Sequence, residues 1–195
     1  MSDAREDLLQ AAFDSVSRYG MAKTTVEDVA RAAGRSRATV YRLFPGGRDE
    51  LFSALVGREL ERFFVGLAAA VAGATDLVGV LEVALVHAHR EIAGHAVLQQ
   101  LLGSEPEQLL PVLATEEDRL HERVVAFLRP LVERELSTGR VRSGVDPEVA
   151  TRYVASLGLS IMSTPGGIDL DDPVAVRSVV RHELLGGILK AGVPA

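Results

Sequence analysis

The stretch TTVEDVARAAGRSRATVYRLF, residues 24–44, contains two short amphipathic segments separated by a glycine. Thr25, followed three residues later by Asp28, resembles a capping box and opens the first helix, VEDVARAA, which Gly34 closes. Ser36 caps the second helix, RATVYRLF, which stops at the Pro-Gly-Gly that follows. The glycine between the helices supplies the positive φ angle that a tight turn requires. The stretch therefore predicts a helix-turn-helix.

The same region is basic within an acidic chain. The whole sequence carries a formal net charge of -6 at pH 7, and an acidic balance by itself argues against a nucleic-acid partner. Between Asp28 and Asp49, however, the sequence has no acidic residue and five arginines. A local positive cluster on an acidic body is typical of a small surface that binds nucleic acid.

A helix-turn-helix binds duplex DNA because its second helix fits the major groove, with its first residues facing the base edges. We expect Arg37 to donate two hydrogen bonds to a guanine, and Ala38 and the Thr39 methyl group to contact a thymine methyl group. The residues predicted to contact bases or phosphates are Thr25, Ser36, Arg37, Ala38, Thr39, Tyr41, Arg42 and Arg48. The alternative is a solvated corner of a helical protein, which the lack of acidic residues disfavours.

With the helix before it and GGRDELF after it, the stretch resembles the N-terminal domain of the TetR family of transcriptional regulators, over residues 5–55. The shared features are the helix opened by Thr25, the Ala-Gly turn, a Tyr-x-x-Phe ending and an acidic pair before Leu-Phe. Two positions depart from the family pattern. Arg35 stands where a small apolar residue is usual, and the loop at residues 45–47 is one residue longer. We expect Arg35 to face solvent or to add a phosphate contact.

The resemblance implies an all-helical homodimer whose C-terminal body binds a small molecule and so controls operator binding. The predicted fold is all-α, with an N-terminal three-helix DNA-binding domain at residues 1–47. A helical bundle for effector binding and dimerisation follows at residues 48–195. The expected function is that of a ligand-responsive repressor, which binds a pseudo-palindromic operator and is released from it by a small-molecule effector.

Apolar residues recur at helical spacing through the rest of the chain and predict the helices of the bundle. These helices are expected at residues 48–64, 77–95, 98–102, 116–136, 147–164 and 173–190. Across residues 150–162 only Arg152 is charged, so this helix is apolar nearly all round and needs a cover on two sides. We therefore expect the homodimer to form through the last two helices.

Polar and aromatic side chains within apolar helices are candidates for an effector cavity. They are His87, His89, His95, Gln99 and Phe127. For Phe127 alone, simple core packing is the alternative. Breaks at Gly103 and Pro106 supply the irregularity that a pocket needs. The helix at residues 48–64, packed against the DNA-binding module through Leu51 and Phe52, is expected to be the only element that reports the state of the cavity.

The rival class is a small helical metal-dependent enzyme or sensor. His87, Glu91 and His95 are spaced four apart, so they would share one helix face and could hold a metal. Solvated or hydrogen-bonded histidines in a cavity wall are the interpretation we prefer, because one helix supplies at most three ligands. The sequence has no zincin motif, nucleophile elbow, P-loop or dinucleotide-binding turn. We expect neither catalysis nor a cofactor.

The composition predicts a soluble cytoplasmic protein without a membrane partner. The chain has no cysteine, which excludes disulfides and thiolate metal sites and suits a reducing compartment. Its start, MSDARED, lacks the apolar segment of a signal peptide. The longest uncharged run, residues 153–168, is shorter than a membrane span.

Overall fold

The computed structural model describes residues 2–163 and 167–190, with side chains from residue 4 onward, and it confirms the predicted all-α class. Its helices are α1 (Ser2–Tyr19), α2 (Val26–Ala32), α3 (Arg37–Leu43), α4 (Arg48–Val71), α5 (Leu77–Gly94), α6 (Ala96–Ser104), α7 (Pro106–Ser137), α8 (Pro147–Ser163) and α9 (Pro173–Ser178). The last of these continues as a π-helical segment, Val179–Leu184. None of the helices in the described ranges has the length and hydropathy to cross a membrane.

The first compact unit consists of Met1–Phe63 and Ile92–Glu117. Its core is built from the apolar faces of α1 to α4, and Phe44 and Phe52 are among its fully buried side chains. Leu101 of α6 and Leu109 of α7 are buried in the same core. The helix-turn-helix is therefore packed together with α6 and the start of α7, two elements far from it in the sequence.

The second compact unit consists of Phe64–Glu91 and Asp118–Ala195, and its core joins α5, the later part of α7, α8 and α9. A buried carboxylate ties two of these elements together. Glu135 of α7 accepts a hydrogen bond of 3.0 Å from the backbone N–H of Leu77 at the start of α5. It also pairs with Arg140 at 2.7 Å, which supplies the opposite charge that a buried carboxylate requires.

The division between the compact units falls inside α4, α5 and α7, each of which has residues in both units. Helix α4 begins at the predicted boundary, but Leu51 and Phe52 near its start are buried in the core of the first unit. The two units are groups of residues that pack together, and packing does not show which residues bind DNA or an effector. The functional division into residues 1–47 and 48–195 therefore stays a prediction.

Several helix ends differ from the sequence expectation. Helix α4 runs on to Val71, and α7 begins at Pro106 instead of residue 116, because a proline in the first turn of a helix loses no internal hydrogen bond. The last helix was expected to reach Lys190 but ends at Leu184. The residues after it pair with the segment before α8, where Lys190 donates its backbone N–H to the Arg140 carbonyl group at 2.9 Å.

Candidate nucleic-acid interface

Both short helices of the helix-turn-helix begin at the predicted caps. Thr25 Oγ1 accepts a hydrogen bond from the Asp28 backbone N–H at 3.2 Å and donates its own hydrogen to the Asp28 carboxylate at 2.5 Å. Ser36 Oγ accepts from the Thr39 backbone N–H at 3.1 Å. Gly34, in the turn between the helices, has a φ angle of 62°, a conformation that favours glycine. These local predictions are confirmed.

Helix α3 presents its predicted DNA-contacting residues on an outward face. Val40 is completely buried against the core of the first unit, and this burial fixes the rotation of the helix about its axis. The opposite face consists of exposed residues, namely Arg37, Ala38, Tyr41 and Arg42. A rigid helix that projects arginines from one exposed face has the form that major-groove contact requires.

Arg37, the first arginine on this face, already has side-chain partners within the first unit. Its Nη1 lies 2.8 Å from Oε1 of Glu27 in α2, and its guanidinium lies 5.4 Å from the centroid of the Tyr41 ring. A hydrogen bond to the Tyr41 hydroxyl and the attraction of Glu27 both raise the pKa of Arg37. Arg42, in contrast, is exposed and makes no ion pair with any described residue.

Two further arginines with predicted DNA contacts are held by backbone or side-chain acceptors. Arg35 in the turn forms an ion pair with Asp7 of α1 at 2.5 Å. Arg48 donates to the carbonyl groups of Met21 at 2.6 Å and Thr24 at 3.2 Å. The phosphate contacts of Arg35 and Arg48 stay predictions, and the geometry favours a structural role for both guanidinium groups.

The partners of these arginines were missed by the sequence analysis. Asp7, Glu27 and the 21–24 backbone carbonyls lie outside the acid-free stretch that the sequence displays. The partner of Arg37 could have been found from the sequence. Glu27 stands at the start of α2, and a tight turn brings the start of α2 close to α3. The basic surface is therefore partly neutralised by acids of neighbouring helices.

The candidate effector residues are distributed over both compact units. In the first unit, His95 Nδ1 accepts a hydrogen bond of 3.1 Å from the Leu98 N–H at the start of α6, and Gln99 donates to the Ile92 carbonyl group at 2.8 Å. His87, His89 and Phe127 belong to the second unit. The binding role of the set stays a prediction.

Within the second unit, His87 lines a cleft of about 350 Å³ between the end of α4, α5 and α9. Apolar side chains form much of the wall, and Glu82 and Arg90 add charge to it. Both charged groups have partners: Glu82 pairs with Arg177 at 3.1 Å, and Arg90 pairs with Asp171 at 3.2 Å. The two ion pairs connect α5 to α9 and to the loop that precedes α9.

Two of the other predicted effector residues have different surroundings. The Nε2 atom of His89 lies 3.8 Å from the carboxylate of Asp171. Phe127 packs against the core of the second unit, which agrees with the alternative of simple core packing. His87 lines the described cleft, and His89 and Phe127 are not among its lining residues.

The metal site of the rival class is not formed as predicted. Helix α5 ends at Gly94, and the next residue, His95, caps α6 with its ring. His87, Glu91 and His95 therefore do not share one helix face, and that prediction is wrong. Within residues 2–163 and 167–190 there is no group of three or more His, Cys, Asp or Glu residues placed to hold a metal ion.

Comparison with known sequences gives a match at the same end of the chain. A sequence model described as bacterial regulatory proteins of the tetR family matches residues 8–55. An uncharacterised HTH-type transcriptional regulator of Mycobacterium bovis is 30% identical over 199 residues, which cover 95% of this chain and 97% of that protein. The similarity to this relative therefore extends beyond the helix-turn-helix to the body.

Solved structures share the fold over nearly the whole chain. SmeT, the repressor of the Stenotrophomonas maltophilia multidrug efflux pump SmeDEF, has a TM-score of 0.60 at 23% identity, covering 99% of this chain and 95% of its own. SmeT has also been solved as a complex with triclosan, with a TM-score of 0.61. GusR of Salmonella enterica has a TM-score of 0.64 at 20% identity, with 95% of both chains covered. These likenesses concern the fold.

Proposed function

The chain belongs to the TetR family of bacterial transcriptional regulators, and from this premise we propose that it is a ligand-responsive repressor. It binds a pseudo-palindromic operator as a homodimer, and a small-molecule effector releases it. The observation that carries the proposal is the exposed face of α3, on which Arg37 and Arg42 project from a helix that buried Val40 fixes in rotation.

The contacts on DNA follow from the chemistry of that face. Arg37, in the first turn of α3, is the residue that reads a guanine through two hydrogen bonds. Ala38 and the methyl group of Thr39 provide apolar contact with a thymine methyl group. Arg42, one turn later and without an ion pair to any described side chain, contacts a phosphate and supplies affinity without sequence preference. Tyr41 donates its hydroxyl hydrogen to another phosphate.

Dimerisation through α8 and α9 is supported by apolar side chains that remain exposed in a single chain. On α8, Val149 is 67% and Tyr153 49% exposed, and on α9 Val174 is 76% exposed. The Tyr153 hydroxyl donates to the Glu183 carbonyl group at 3.1 Å, which orients the ring towards the π-helical segment Val179–Leu184. A second copy that covers these residues would form the isologous interface of a twofold dimer.

The cleft beside His87 is our candidate for the effector site. Its walls are apolar around a few charged groups, a composition that suits an amphipathic small molecule. Two observations on a relative agree with an effector of this kind: SmeT is named as the repressor of a multidrug efflux pump and has been solved with triclosan.

Selection of bound fragments from the source genome tests the proposal. The wild-type protein should enrich a pseudo-palindrome whose half-sites lie one turn apart, about 34–36 Å centre to centre, or a multiple of that spacing. A reporter gene placed behind the selected sequence should be repressed by the protein. The double variant, with Arg37→Ala and Arg42→Ala, should neither enrich this sequence nor repress the reporter.

The matched control is Arg134→Ala, which removes an exposed arginine of α7 in the second unit. This control should enrich the same sequence and repress the reporter as the wild type does. Enrichment of no sequence by the wild type would contradict DNA recognition. Enrichment together with an activated reporter would contradict the repressor assignment alone.

A further inference from the structure

The turn between α1 and α2, residues 20–24, is held from two sides by side chains of opposite charge. This α1–α2 turn leads directly into Thr25, the cap of α2, so its position determines where the helix-turn-helix begins. One of the two side chains comes from α4 and the other from the corner between α6 and α7. Both side chains belong to the first compact unit.

On one side, Glu105 stands between the end of α6 and Pro106 at the start of α7. Its Oε2 atom accepts a hydrogen bond of 2.8 Å from the backbone N–H of Ala22. Gly20, at the start of the turn, has a φ angle of 83°, and a Cβ atom at this position would overlap the Glu105 carboxylate. Glycine is therefore needed at residue 20 both for its conformation and for the close approach of this side chain.

On the other side, Arg48 at the start of α4 donates to the carbonyl groups of Met21 and Thr24. Its guanidinium is stacked 4.5 Å from the centroid of the Phe52 ring, and Phe52 is buried. The turn thus gives one backbone N–H to a carboxylate and two carbonyl groups to a guanidinium. Charged partners make each of these hydrogen bonds stronger than one between neutral groups.

The corner that carries Glu105 is itself fixed to the core of the first unit. Leu101, four residues before Glu105, and Leu109, four residues after it, are 5% and 3% exposed. Helix α7 then continues to Ser137, well beyond the part of it that belongs to this unit. A movement of α7 along its axis would therefore be carried by the corner and by Glu105 to the α1–α2 turn.

We propose that Glu105 is a positioning residue for operator binding, which holds the α1–α2 turn in the arrangement that recognises DNA. The α6–α7 corner is then a second route, beside α4, by which the body controls the helix-turn-helix. We expected the helix that begins at Arg48 to be the only element that reports the state of the cavity to the helix-turn-helix. Leu101 and Leu109 are buried in the same core as that helix, so the α6–α7 corner has to be added as a second element. The inference rests on the proposed function, because operator binding is what the contact controls.

Two substitutions at this position separate positioning from stability. Glu105→Ala removes the acceptor, whereas Glu105→Gln keeps an oxygen atom that can accept from the Ala22 N–H. The control is Glu107→Ala, which removes an exposed carboxylate two residues further on. For each variant, the experiment measures hydrogen exchange at the Ala22 amide by NMR, the affinity for the selected operator and for a scrambled duplex, and the melting temperature.

The Ala variant should accelerate exchange at Ala22 and lower operator affinity about tenfold, within the usual range of coupling between sites. Its affinity for the scrambled duplex should change less than about twofold, the range within which independent effects on free energy add. The Gln variant and the Glu107→Ala control should both behave as the wild type. Operator binding should also slow exchange at Ala22 in the wild type, because linkage is reciprocal.

Three outcomes would overturn the inference. Unchanged exchange at Ala22 in Glu105→Ala would show that the contact is not formed in solution. Faster exchange with unchanged operator affinity would show a contact without a positioning role. Equal losses of operator and scrambled-duplex affinity, together with a lower melting temperature, would show a merely structural role. Failure of the wild type to prefer any sequence would instead contradict the proposed function, and this inference with it.

Discussion

Arg37 of α3 and Glu27 of α2 form an ion pair, with 2.8 Å between Nη1 and Oε1. The arginine assigned to a guanine is thus already occupied by a carboxylate before DNA arrives. Both side chains are largely exposed, so the exchange of Glu27 for a base edge requires only a rotation of the guanidinium. The ion pair also places a negative charge beside the surface that DNA phosphates approach.

The first prediction concerns this acid. Glu27→Gln should increase operator affinity about two- to fivefold, because it removes a carboxylate that competes with DNA for Arg37. The gain is small because an exposed ion pair contributes little free energy. The measurement is a titration of the operator at fixed salt. Asp14→Asn, which changes the net charge equally from an exposed site on α1, is the control. Equal gains for the two variants would mean that only net charge matters, and a loss for Glu27→Gln would mean that the pair orients Arg37 productively.

The second prediction separates the two roles considered for Arg48. Because its guanidinium donates to the carbonyl groups of Met21 and Thr24, Arg48→Ala should lower the free energy of unfolding by about 1–3 kcal/mol. Arg48→Lys should be destabilised too, since an ammonium group cannot reproduce the planar fork. The salt dependence of DNA binding should be unchanged in both variants. If Arg48→Ala instead lowered the slope of log affinity against log salt concentration by about one and left stability unaffected, Arg48 would be a phosphate contact.

The third prediction is a pH dependence at the start of α2. A hydrogen bond from the Thr25 hydroxyl, supported by the Thr25 backbone and by Arg31, lowers the pKa of Asp28 below its usual value. A carboxyl group with a lowered pKa in the folded state stabilises the fold above its unfolded pKa of about 4, and that stabilisation disappears as the pH falls through the folded pKa.

The difference in melting temperature between the wild type and Asp28→Asn should therefore be constant near neutral pH and should shrink below about pH 4. Thermal unfolding followed by circular dichroism at a series of pH values measures this difference. Asp14→Asn, on α1, is again the control. A difference that widens on acidification would contradict the stabilising hydrogen bond.

The fourth prediction concerns the dimer. Tyr153→Glu should shift the protein towards the monomer at micromolar concentration, because it places a charge in an interface that the exposed apolar residues of α8 are proposed to form. Val65→Glu is the matched control, since Val65 is a 73% exposed residue of α4 outside that face. Sedimentation velocity measures the mass. A wild-type protein that sediments as a monomer would remove the interface and the paired half-sites.

The features that the sequence predicted well depend on residues close together in the chain. The caps at Thr25 and Ser36 and the turn at Gly34 require contacts over five residues or fewer, so the sequence pattern contains all their partners. The apolar spacing that buries Val40 is equally local. The helix-turn-helix and its outward face could therefore be predicted before the structure was known.

The remaining features depend on partners far along the chain. Asp7 lies 28 residues before Arg35, and Glu105 lies 83 residues after Ala22, so no local pattern indicates either contact. His95 illustrates a different difficulty. Its spacing from His87 suits one helix face, but Gly94 ends the helix, and the histidine ring then serves the next helix as a cap. Such a choice depends on packing that periodicity alone does not contain.

The account depends most directly on sequence-specific DNA binding by α3, and one titration tests it. The wild type and Arg37→Ala are titrated with the selected operator and with a scrambled duplex of the same composition at physiological salt. We predict that the wild type prefers the operator by about a thousandfold or more. Arg37→Ala should lose roughly ten- to a hundredfold of operator affinity and little for the scrambled duplex. Equal affinity of the wild type for the two duplexes would contradict the account.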